Sequence, residues 1–187
     1  MNGLHGPWVM LAMVLLAAAV IGLATALLAL GIGWRRAAPI GLFAWTLVCL
    51  LVITIVPTSG GRSGLPIATT CSFDYGGPAP DGFWIVPGGQ RLLNAVAFVP
   101  AGLLMVISCA QFRRGLRWVV PGVLLLAGTS VMIEWTQLVT RWGRACDITD
   151  IADNTLGALV GTGIGLAGVG IVRGVSRMVR RPARELG

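Results

Sequence analysis

The sequence predicts an all-α polytopic membrane bundle of about five transmembrane helices, and three observations carry that prediction. Of 187 residues, 56% are hydrophobic and only 11% are charged, a balance far from that of water-soluble domains. Five apolar stretches are each long enough to cross roughly 30 Å of hydrocarbon, which takes about 20 helical residues. These stretches are continuous, whereas barrel strands would alternate over short segments, so helices satisfy the backbone in lipid.

The first helix is expected over residues 8–33. It has no basic segment before it, its apolar run is too long for a secretion signal, and no small-residue cleavage pattern follows, so it is read as retained. The remaining helices are expected over 38–56, 92–111, 118–139 and 151–172. The chain thus forms a single transmembrane domain over 1–187, with a long outer loop over 57–90 and a basic tail over 173–187. The loop carries TSGGRSGLP, DYGGPAPDG and IVPGGQ, whose Gly and Pro content and lack of periodicity predict irregular structure.

Charge placement predicts orientation. Every basic residue is Arg, and ten of the fourteen fall between the first and second helices, between the third and fourth, or after the fifth. The positive-inside bias makes that side cytoplasmic, with the N-terminus outside. The acids follow the opposite pattern: Asp74, Asp81, Glu134, Asp147, Asp150 and Asp153 fall at or near the outer face, and Glu185 alone falls inside. The net charge of +7 therefore reports topology and predicts no nucleic-acid partner.

The fourth helix contains a carboxylate, Glu134, in the run SVMIEWTQLV, where a charge costs a few kcal/mol without a partner or a wet cavity. Glu134, Gln137 and Arg141 share a face at i, i+3 and i+7. After Arg144, the residues Asp147, Asp150, Asn154 and Gly157 share another. Asp147 or Thr149 suits the N-cap of the fifth helix, and Asp150 its first turn. Asp153 falls off the shared face and is expected to be solvated or capping. Gly157, Gly161 and Gly165 form a small-residue stripe that lets another helix approach, the expected neighbour being the third. On that third helix Asn94, Phe98 and Gly102 share a face, and Pro100 removes one backbone hydrogen bond and is placed to bend it.

Four cysteines occur; Cys49 and Cys109 lie within helices, and Cys71 and Cys146 lie in the outer loops. The last two face an oxidising compartment, where they either pair or remain free. No Cys/His metal spacing and no cofactor motif is present, and His5, the only histidine, is incidental.

The polar blocks resemble the VanZ-like family. They are NAVAFVPAG, with Asn94, Phe98, Pro100 and Gly102; EWTQ, with Glu134 and Gln137; and RACDITDIADNTLG, with Arg144, Asp147, Asp150, Asn154, Thr155 and Gly157. Three linked blocks in order, over about residues 91–165, make the resemblance specific. It departs at Thr149, where many relatives carry another acid, so a metal site needing that carboxylate is not expected here. The resemblance implies a multi-pass protein of the bacterial cytoplasmic membrane, related to an accessory protein that raises resistance to the glycopeptide teicoplanin.

Three readings of function stay open at this stage. In the first, an outer polar pocket binds or modifies an envelope molecule, such as a lipid-linked cell-wall precursor or the lipoglycopeptide, with Asn94, Gln137, Arg141, Arg144, Asp147 and Asn154 as binding residues. In the second, Glu134 and Asp150 are working carboxylates of an intramembrane hydrolase or transferase. In the third, the charges lock the helices of a non-catalytic scaffold. Membrane lipid is the one partner common to all three, and the oligomeric state is not specified.

Overall fold

The computed structural model describes residues 7–56, 71–72, 90–140 and 146–180. Among the described residues, five helices are long and apolar enough to cross a membrane. They are α1 (Pro7–Ile32), α2 (Trp34–Ile55), α3 (Gln90–Ala110), α4 (Val119–Thr140) and α5 (Ile148–Arg180). A single 3-10 turn, Gly115–Trp118, joins α3 to α4. Among the described residues no strand is present, and one isolated bridge joins Ser72 to Asp147.

Two helices differ from the sequence reading at their ends. α2 begins at Trp34, four residues before the expected start, because Gly33 adopts φ 82 and ψ 149 and reverses the chain in one residue. Only glycine reaches that conformation without strain. Pro39 is thereby inside the helix, and the carbonyl it leaves without an i+4 donor is that of Arg35, in the first turn. α5 runs to Arg180, so the first eight residues of the expected tail are helical; residues 181–187 are outside the described part. At 33 residues α5 is about 50 Å long, more than the hydrocarbon requires. α3 is continuous across Pro100, which is exposed.

α3 is the central element, packed against α2, α4 and α5, whereas α1 contacts only α2. The core joins Leu50 of α2, Phe98 and Ala101 of α3, Leu126 and Ile133 of α4, and Ala158 of α5. A second cluster, Met105, Val106 and Val119, lies toward the 3-10 turn. The α3–α5 crossing is close because it is made by backbone on backbone. A Cβ at Gly157 would meet the Ala95 carbonyl, one at Gly161 the Val99 carbonyl, and one at Gly102 the Ala158 carbonyl. The expected small-residue stripe therefore does face the third helix. Gly41 plays the same part for α1, its missing Cβ leaving room for Thr25.

Candidate functional site

Most of the buried polar side chains of the membrane-spanning helices, among them Arg91, Glu134, Gln137, Asp153 and Asn154, gather at one end of the bundle, where α2 and α4 finish and α3 and α5 begin. Asp147 organises this end. It stands just before the first residue of α5, and its Oδ1 accepts the Thr149 N–H at 2.8 Å, a side-chain cap on an otherwise free donor. Its own N–H donates to Glu134 Oε2 at 2.9 Å. A buried carboxylate from α4 thus holds the start of α5, and the energetic problem posed by Glu134 is answered by a charge-assisted bond. Glu134 is 2% exposed.

A second attachment comes from the connection between α2 and α3. Cys71 and Cys146 form a disulfide, with Cα atoms 4.6 Å apart. Beside it the Ser72 N–H donates to the Cys146 carbonyl at 2.9 Å, and the Ile148 N–H donates to the Ser72 carbonyl at 3.1 Å. Residues on both sides of Asp147 are therefore fixed to the segment at 71–72.

Further along α4 and α5, Asn154 Nδ2 donates to Ser130 Oγ at 2.9 Å, with both groups buried. Gln137, also buried, donates from Nε2 to the Thr54 carbonyl at 3.0 Å. That carbonyl is in the last turn of α2, so Gln137 ties α4 to α2. Ser130, Glu134 and Gln137 form one stripe at i, i+4 and i+7.

On the α3 side lies a bidentate ion pair. Arg91 Nε donates to Asp153 Oδ2 at 2.7 Å and Arg91 Nη2 to Asp153 Oδ1 at 2.9 Å. The side chains are 10% and 1% exposed. The expectation that Asp153 is solvated or capping is thus corrected. α5 is wedged between α3 and α4 and buries two adjacent faces, with Asp153, Gly157 and Gly161 toward α3 and Asn154 toward α4. Gly157 accordingly leaves the face assigned to Asp147, Asp150 and Asn154. One turn beyond Arg91, the Asn94 Nδ2 is buried and makes no hydrogen bond to the described residues.

Sequence reasoning missed Arg91, Ser130 and the role of Asp153. A signal for the ion pair was present: Arg91 opens an apolar run on the acid-rich side, where a buried carboxylate needs a cation. Ser130 carried no such signal. Asp150 is half-buried in the first turn of α5. Arg141 and Arg144 fall outside the described residues. No group of three His, Cys, Asp or Glu side chains suited to a metal ion occurs among the described residues. As it stands, the arrangement can offer amide and guanidinium donors and buried carboxylate acceptors at one end of the bundle.

A family model, VanZ/LLP1, matches residues 43–169, from the first half of α2 to the last third of α5. No curated protein and no solved structure matches the chain. The match takes in α3, α4, most of α5 and the polar groups at this end of the bundle, and it spans about two thirds of the sequence. The chain belongs to the VanZ/LLP1 family and is a VanZ-like multi-pass membrane protein.

Proposed function

We propose that the polar end of the bundle faces the outside of the bacterial cytoplasmic membrane and binds the head group of an envelope molecule, either a lipid-linked cell-wall precursor or a lipoglycopeptide such as teicoplanin. The observation that carries this reading is the gathering of buried polar side chains from α3, α4 and α5 at one end of the bundle, with the Asn94 amide left without a hydrogen-bond partner among the described residues. Buried donors without a partner are rare in folded proteins, and a bound acceptor removes their cost. Two features support the outer orientation: the arginine bias, and a disulfide at this end, which persists in an oxidising compartment.

In this reading Asn94 contacts the ligand, and Arg141 and Arg144 supply positive charge to an anionic group. Glu134 and Asp147 position the start of α5, and Gln137 and Asn154 fix its neighbours. Glu134 is accordingly an organiser; its carboxylate is engaged with the Asp147 backbone, which disfavours it as the working acid of a hydrolase or transferase. A scaffold without a ligand is the second reading, favoured by the mutual pairing of Arg91 with Asp153 and of Ser130 with Asn154.

The test is teicoplanin susceptibility of a sensitive host expressing the chain, its Asn94→Leu form or its Glu134→Gln form, at matched membrane levels. The binding reading expects protection from the wild type and its loss with Asn94→Leu. Equal protection by wild type and Asn94→Leu would support the scaffold. A reporter fusion that places residue 147 in the cytoplasm would sink the outer-face reading.

A further inference from the structure

At the opposite end of the bundle, two adjoining clefts meet at the α3–α4 connection. One, of about 460 Å³, has apolar walls from Ile40, Cys109, Phe112 and Trp118. The other, of about 320 Å³, is lined by Arg113, Arg114, Leu116, Arg117 and Arg173. Arg114 and Arg117 border both, so the apolar trough adjoins a cleft lined by four arginines.

The connection is built rather than loose. Gly115 lies so close to the Cys109 carbonyl that no Cβ would fit, and its N–H donates to the Phe112 carbonyl at 3.1 Å. Arg117 stacks over the Trp118 ring, 5.5 Å from its centroid. Arg173 donates to the Ala110 carbonyl at 3.3 Å, which holds it at the end of α3.

Among the described residues no carboxylate pairs with these four arginines. All four described acids, Glu134, Asp147, Asp150 and Asp153, are at the other end of the bundle. Four arginines with no carboxylate beside them among the described residues make a strong local positive field, and Trp118, half exposed, has the amphipathic ring favoured at the membrane–water boundary. A free phosphate would use the arginines and leave the apolar trough empty. An anionic phospholipid uses both, its phosphate among the guanidinium groups and the start of an acyl chain along Ile40, Phe112 and Trp118.

We infer that the cleft at the α3–α4 connection is a binding site for one anionic phospholipid, with Arg113, Arg114, Arg117 and Arg173 taking the phosphate. The inference is independent of the outer-end ligand and rests on the charge and apolar complementarity of the two clefts. Basic pockets at helix ends are suited to such head groups.

The test counts bound lipid by native mass spectrometry on the full chain in detergent, titrated with phosphatidylglycerol or phosphatidylcholine of the same acyl chains. Phosphatidylglycerol is expected to be retained at the lower concentration. Arg114→Gln/Arg117→Gln should weaken it about 25-fold, at about five-fold per arginine. Arg35→Gln/Arg36→Gln, which removes two cations from the same end but from neither cleft, should change it less than about two-fold on that scale. If the double variant does not run as a monodisperse peak, Arg113→Gln alone should still weaken binding about five-fold. Equal retention of both lipids, equal loss with the Arg35/Arg36 pair, or displacement of the lipid by millimolar inorganic phosphate would each overturn the inference.

Discussion

Arg91 and Asp153 are the clearest case of a buried charge that depends on its partner. Each guanidinium bond is short, and Asp153 is almost wholly inside the protein. Replacing one member strands the other, at a cost of about 3–5 kcal/mol. Arg91→Met should therefore lower the thermal unfolding midpoint in detergent strongly, whereas Arg91→Met with Asp153→Leu should recover most of the loss. A double variant as unstable as the single would show that the charges do more than satisfy each other. Glu134 behaves differently because its acceptor role is to a backbone N–H. In Glu134→Gln the amide oxygen can still accept from Asp147, so the expected loss is about 1 kcal/mol, and Glu134→Ala should cost more. The same thermal measurement separates the two.

Helix packing carries a prediction of its own. Gly161 has the Val99 carbonyl where a Cβ would go, while Gly163, two residues on, has open space around it. Gly161→Leu should push α3 and α5 apart and abolish a monodisperse species in size-exclusion chromatography; Gly163→Leu should leave it intact. Equal tolerance at both positions would mean that the close approach is not needed. Element existence was legible from the sequence because each helix must span the hydrocarbon, and the pairing of α3 with α5 was legible from Gly157, Gly161 and Gly165. The Arg91–Asp153 pair was not, and the reason is geometric. A pattern of i, i+3, i+7 assumes one buried face, but α5 has neighbours on two sides, so Asp153 and Asn154 are both inside though they point in different directions. The start of α2 was misplaced because a one-residue reversal at Gly33 needs no polar turn sequence to announce it.

For the whole molecule, the Cys71–Cys146 bridge closes a loop with a sequence separation of 75 residues that contains α3 and α4. In the chain-entropy account a loop of this size contributes roughly 4 kcal/mol. Cys71→Ser/Cys146→Ser should unfold at a lower temperature by a corresponding amount. In the wild type a membrane-impermeant maleimide should label neither residue until a reductant is added; prompt labelling without reductant would contradict the bridge. The bridge also imposes an order on biogenesis. Cys71 leaves the ribosome long before Cys146, and its partner reaches the same side of the membrane only after α3 and α4 have both been inserted. Oxidation is then a late checkpoint, and a chain stalled before α5 should remain thiol-reactive at Cys71 even with both preceding helices in place.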